Sequence, residues 1–189
     1  MSTFTSQFTP YSFPTLGLVR LPTITIADDD KLAIGVKCGA SNLDFLKRLC
    51  FESYKRMRAA GKFDGITEQA VFDRLRFECS VLDKTGTVDY ILMFWDLVRW
   101  CRANDVPVGP GRGSVCGSLV CYLVGITRIN SLQYNLNFTR FISEARVQPK
   151  VVNGVTYADG RTMCDIDSDF GKARRKALQG YIDTKYPNR

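Results

Sequence analysis

The chain has 189 residues, 45% of them hydrophobic and 24% charged, a balance that suits one globular core and excludes a disordered or low-complexity polymer. Its 26 basic and 19 acidic side chains leave a net charge of +7, which suits a polyanionic partner and salt-sensitive binding. Histidine is absent, which excludes Ser-His and Cys-His catalysis, and the seven cysteines include no Cys-x-x-Cys, which argues against a zinc site and for buried thiols in a reducing compartment.

Residues 1–40 read as an irregular amino-terminal arm, with Pro10, Pro14 and Pro22 and one alternating stretch, Thr23-Ile-Thr-Ile26, that suggests a short strand. Met1–Thr9 is uncharged and rich in Ser and Thr, so no secretory signal is expected. No stretch is long and apolar enough for a membrane helix, and the expected location is a bacterial cytoplasm. Three amphipathic helices are predicted next: Asn42–Ala60, ended by Gly61, then Thr67–Lys84, then Asp89–Ala103. Trp95 and Trp100 on the third read as core residues rather than base-stacking platforms. Val106–Val108 is a candidate strand leading into a glycine-rich turn, after which Val115–Val124 has the length and composition of a buried helix. A segment Phe138–Ile142 follows. Val151-Val-Asn-Gly-Val-Thr-Tyr157 reads as a hairpin around an Asn-Gly turn, then comes an aspartate strand, then a basic terminal helix.

Two motifs carry chemistry. In Gly109-Pro-Gly-Arg-Gly-Ser114 the glycines permit positive φ and close approach of backbone to a ligand. Arg112 adds a permanently charged fork matched to phosphate oxygens. Ser114 is expected to cap the following helix, whose start would favour an anion. The Gly-Lys-Ser/Thr ending of a Walker A loop is absent. In Asp165-Ile-Asp167-Ser-Asp169 the carboxylates alternate, so on a strand they share a face. Asp165 and Asp167 would then suit two Mg2+ ions about 4 Å apart, the arrangement for in-line phosphoryl displacement. An EF-hand would need Gly where Phe170 stands and Glu where Lys176 stands. An aspartyl-phosphatase strand should be strongly apolar, and Arg161-Thr-Met-Cys164 is not. Alternatively each motif is structural, a turn capping a helix and a solvated acidic turn. The run Lys172-Ala-Arg-Arg-Lys176 suits either DNA phosphates or a solvated helix face.

The residues around these motifs resemble a known family. Val88-Asp-Tyr-Ile-Leu-Met-Phe-Trp-Asp-Leu-Val-Arg-Trp-Cys-Arg-Ala-Asn104 runs into Val106-Pro-Val-Gly-Pro-Gly-Arg-Gly-Ser114. Then come Gly117-Ser-Leu-Val120, Tyr122-Leu-Val-Gly-Ile-Thr127, Phe138-Thr-Arg-Phe141, Glu144-Ala-Arg146 and Asp165-Ile-Asp167. In that order they resemble the palm of the alpha subunit of bacterial DNA polymerase III, a C-family replicative polymerase, from about Ser41 onward. The resemblance implies a polymerase beta-like nucleotidyltransferase palm, an α+β fold with a small mixed sheet and packed helices. It also implies that Asp165 and Asp167 bind two catalytic Mg2+ ions. Gly113 and Ser114 would contact the triphosphate of a dNTP, with Arg112, Arg140 and Arg146 near it, and a primer 3′-hydroxyl on primer-template DNA would attack the α-phosphorus.

Departures from the family are as specific. Its third catalytic aspartate lies beyond the end of this chain, and neither Asp159 nor Asp183 is assigned to that role. Cys164 stands where the family has Pro, Thr139 replaces an acidic residue, and 148–162 reads as an insertion within a partial palm domain 41–189. The expectation is a DNA-directed DNA polymerase fragment or split subunit that needs a second polypeptide for thumb, fingers and third aspartate. Met1 favours a separately encoded piece, a phage gene among the options. The alternative is a non-catalytic nucleic-acid-binding or replisome-assembly protein derived from a palm.

Overall fold

Three long helices form because each repeats apolar residues on one face, and the first two also begin on a side chain that satisfies an orphan amide. A computed structural model describes residues 17–186. In α2, Asn42–Ala59, the Ser41 hydroxyl accepts the Asp44 amide at 3.1 Å and donates to the Asp44 carboxylate at 2.7 Å. Phe45, Leu46, Cys50 and Tyr54 form its buried stripe, and Gly61 ends it at φ +73°. Thr67 caps α3, Glu68–Lys84, through the Ala70 amide. α4, Val88–Ala103, buries Ile91, Leu92, Val98 and Cys101. These spans match the sequence expectation to within a residue or so at each end.

The helices enclose α5, Leu119–Leu123, whose five residues are all buried. α2 and α3 pack directly on it. Val115–Val124 is therefore buried as expected but is not one helix. A 3-10 turn, Gly113–Gly117, precedes α5, and the cap is Ser118 rather than Ser114. The break follows from packing: a Cβ at Gly117 would lie 2.7 Å from the Asn137 carbonyl oxygen, so the backbone of a second 3-10 turn, Phe138–Arg140, occupies that space.

The sheet is three-stranded, antiparallel and ordered β1-β3-β2, not mixed. β1 is Leu18–Arg20, β2 is Lys150–Val152 and β3 is Val155–Asp159. β2 and β3 are the expected hairpin, turned at Asn153 and Gly154 with φ +50° and +76°. β1 comes from the stretch read as an irregular arm, which also carries a short helix α1, Asp28–Ala33; residues 1–16 of that stretch lie outside the described residues. Thr23–Ile26 alternates in burial as expected but pairs with no strand. Instead the Ile24 amide donates to Asp89 at 3.1 Å and Asn42 donates to the Ile24 carbonyl at 2.8 Å.

The terminal helix α6, Arg175–Lys185, docks on α4 through a small second core of Leu97, Cys101, Val106 and Leu178. Trp100 stacks on Tyr181 there at 4.6 Å, the structural role expected for it. Buried Asp96 anchors the contact, accepting from Tyr181 at 2.6 Å and from Tyr186 and Lys185 at 2.8 Å each. Burial works to raise the Asp96 carboxyl, but these hydrogen bonds outweigh it and hold the group below 3.8. Its folded value thus lies below its unfolded one, so the contact stabilises above the unfolded value and fades as pH falls through the folded value. Asp96→Asn should cost about 2 kcal/mol at pH 7. The gap to wild type should shrink below about pH 4, as thermal unfolding at pH 7 and pH 3 would show.

Candidate functional site

The glycine turn and the aspartate segment lie side by side. The Gly109 amide donates to the Asp169 carbonyl at 2.8 Å, and the Gly171 amide to the Pro107 carbonyl at 3.0 Å. Val108 bridges Phe170 and Arg112 bridges Asp167, both antiparallel. Three residues separate Val108 from Arg112 while two separate Asp167 from Phe170, so the turn carries a bulge. Neither segment forms a full strand, contrary to expectation for Val106–Val108 and for Asp165–Asp169; each contributes isolated bridges only. The bulge breaks the ladder before it can extend.

Two glycines are required here. Gly113 has φ +71°, and a Cβ on it would lie 2.8 Å from an Asp167 carboxylate oxygen. Gly111 has φ +88°, and a Cβ would lie 2.9 Å from Thr127. The Arg128 amide donates to the Pro110 carbonyl at 2.8 Å and fastens the other side of the turn.

Arg112 does not stand free. Its guanidinium lies 3.5 Å from Asp167 and 3.5 Å from Asp169. With Arg112 61% exposed and the carboxylates 43% and 66% exposed, these are weak, exchangeable pairs. Asp165 is also exposed and lines a cleft of about 750 Å3 between β1, α4 and α6. Tyr90 lines the same cleft, and burial, with smaller repulsion from Cys164 and Asp165, pushes its hydroxyl well up. Arg140 is exposed on the 3-10 turn that packs against Gly113–Gly117. Arg146 bonds the carbonyls of Arg140 at 3.1 Å and Phe141 at 2.8 Å, and its charge reaches Cys164. Gly113 and Arg112 are thus in contact with Asp167, Asp165 opens onto the adjoining cleft, and Arg140 and Arg146 flank the turn.

The donor set suits Mg2+. Asp165 and Asp167 are solvent-reachable hard oxygen donors, and Mg2+ takes one or two carboxylates and completes its shell with water and substrate phosphates. Burial pushes the neighbouring Cys164 thiol up to about 12, so without a metal it stays protonated at neutral pH. Among the described residues no cluster of three or more carboxylates or thiols could hold a metal, so the remaining ligands would come from outside them.

A further expectation for this region also fails. The first amides of α5 are not open to an anion: Glu78 takes them. Its carboxylate, fully buried, accepts from the Leu119 and Val120 amides at 2.9 Å each, from the Ser118 hydroxyl at 2.8 Å and from Arg74 at 2.6 Å. Arg74 also reaches the carbonyls of Gly117 at 2.7 Å and Leu136 at 2.8 Å, tying the two 3-10 turns together. The signal in the sequence was a glutamate in the apolar stripe of Val71, Cys79 and Leu82.

The sequence model of the bacterial DNA polymerase III alpha NTPase domain matches residues 44–153. DNA polymerase III subunit alpha of Staphylococcus aureus is 43% identical over 114 residues, 60% of this chain and 9% of that protein. The Staphylococcus epidermidis protein of the same name is 40% identical over 121 residues, 64% of this chain and 10% of that protein. The chain thus spans about a tenth of the length of these relatives. The family match includes the glycine turn, Arg140 and Arg146 and ends before Asp165. No helix among the described residues is long and apolar enough to cross a membrane.

Proposed function

The chain belongs to the bacterial DNA polymerase III alpha family, and on that premise we propose that it carries the nucleotide- and metal-binding part of a DNA polymerase palm. The observation that supports this reading most is the contact of Gly113 and Arg112 with Asp167. It joins a phosphate-type turn to a metal-type carboxylate across a long stretch of sequence, next to an open cleft at Asp165. In this reading Asp165 and Asp167 hold two Mg2+ ions, which supply charge neutralisation at the triphosphate. Gly113 and Ser114 face the triphosphate of a dNTP. Arg112 leaves its carboxylates for phosphate oxygens, and Arg140 and Arg146 add positive charge beside it. Primer-template DNA is the substrate, and thumb, fingers and the third carboxylate come from outside the described residues.

The test is dNTP binding with and without Mg2+, run beside Asp165→Ala. Mg2+-dependent binding that the substitution abolishes is the expected result, and binding unchanged by it would contradict the assignment. A second reading, a palm-derived protein that binds nucleic acid without chemistry, is favoured by one observation. Arg112 lies beside both Asp167 and Asp169, and the described residues hold no group of three or more side chains placed to bind a metal. On that reading dNTP binding is indifferent to Mg2+.

A further inference from the structure

A second concave surface adjoins the glycine turn and shares no residue with the aspartate segment. It is a cleft of about 680 Å3 between α2, α4 and the chain that follows α5. Arg56, Lys62, Arg99, Arg102 and Arg128 line it, with Glu52 as its acidic member. Two of these charges are already answered. Glu52 pairs with Arg48 at 2.9 Å and Lys55 at 3.3 Å, and Arg99 pairs with Asp30 and, at 3.6 Å, with Asp96. Arg56, Lys62, Arg102 and Arg128 have no carboxylate within ion-pair distance among the described residues.

The cations are seated rather than merely near one another. Arg102 donates to the Gly125 carbonyl at 2.7 Å, and a Cβ at Gly125 would lie 2.7 Å from that guanidinium, so glycine makes its place. Arg128 donates to the Val108 carbonyl at 3.3 Å, and Arg56 to the Ser53 hydroxyl at 3.3 Å. Each fork keeps further N–H donors for a ligand. Burial and the like charges of Arg128 and Arg56 push the Arg102 guanidinium down, so the fold holds these cations together against repulsion. A bound polyanion would relieve that repulsion.

We propose that this cleft binds consecutive phosphate groups of an oligophosphate chain, at a site separate from Asp165 and Asp167. Guanidinium forks match phosphate oxygens in pairs, and a lysine adds a point charge. The phosphates come either from a nucleic-acid strand or from a free polyphosphate chain, and two probes distinguish them.

Binding of labelled oligothymidylate and of sodium tripolyphosphate is measured in EDTA across a salt series, for wild type and for Arg56→Gln/Arg102→Gln/Arg128→Gln. The triple variant should lose at least about tenfold in affinity. For the oligonucleotide, the slope against log salt should fall by about two to three. Loss for the oligonucleotide alone assigns the site to a strand, and loss for tripolyphosphate alone to a free chain. Unchanged affinity for both probes, or no binding by wild type, overturns the proposal. So does an equal loss in Lys37→Gln/Lys47→Gln/Arg76→Gln, which removes as many charges outside the cleft. If the triple variant fails to fold, Arg56→Gln/Lys62→Gln breaks no bond to the backbone and carries the same test. Because EDTA removes divalent metal, the outcome is independent of the polymerase reading.

Discussion

Glu78→Ala should lower unfolding stability by about 3–5 kcal/mol, the cost of breaking a buried pair and leaving its donors unanswered. The carboxylate accepts four hydrogen bonds and is fully buried. Removing it orphans two amides at the start of α5, the Ser118 hydroxyl and one edge of the Arg74 fork. Burial pushes the Glu78 carboxyl up, against the Val120 and Leu119 amides and Arg74, which pull it down. Its folded value then exceeds its unfolded one, so the native state binds the extra proton and stability from this group declines as pH rises from about 4.5 upward. Glu78→Gln should abolish that slope and lose less than Glu78→Ala, since an amide still accepts on one side. Urea unfolding of the three proteins at pH 5 and pH 7 measures both effects. Arg74 spans the carbonyls of Gly117 and Leu136, so the loss should be shared by the two 3-10 turns beside the glycine motif.

Asp165→Ala should remove the Mg2+-dependent part of dNTP binding, a loss of more than about 100-fold if each carboxylate contributes several kcal/mol through the metal. The fold should be untouched, because the side chain is exposed and lies outside any helix or strand. Asp167→Ala should differ in a diagnostic way. It should lose the same Mg2+ dependence but free Arg112 from one of its two carboxylates, leaving Asp169 alone at 3.5 Å, and so gain a weak component that needs no metal. Titrating a fluorescent dNTP with and without Mg2+ separates the two components. Equal behaviour of the two variants would mean that Arg112 does not exchange carboxylate for phosphate.

Most of the helical framework was legible in the sequence. Ser41, Thr67 and Gly61 are local signals, and their caps and stops form within a turn of the chain whatever packs around them. The Asn153-Gly154 turn is legible for the same reason. What the sequence hid depends on distant partners. Val115–Val124 has the composition of one helix, yet the Asn137 carbonyl against Gly117 divides it. Ser118 outcompetes Ser114 as cap because Glu78, forty residues earlier, stands ready to take the next two amides. Leu18–Arg20 becomes a strand only because the hairpin offers β3 as its neighbour.

The candidate site divides in the same way. Its two motifs were readable as residue types, and Gly113 against Asp167 gives their union a physical reason. The pairing of Arg112 with two aspartates was not readable, since nothing in either motif specifies the bulge that aligns them. Arg128 escaped notice because its bonds to Val108 and Pro110 are made from a loop with no motif of its own.

The most direct test of the site is to place a paramagnetic metal in it. Mn2+ would be titrated into 15N-labelled protein in the presence of a dNTP, with amide line broadening recorded for wild type and Asp165→Ala. Broadening that begins at Asp165–Asp167 and at Gly113 and Ser114, and that the substitution removes, is the predicted result. Broadening centred elsewhere, or unchanged in Asp165→Ala, would contradict the assignment of these residues to a metal-nucleotide site.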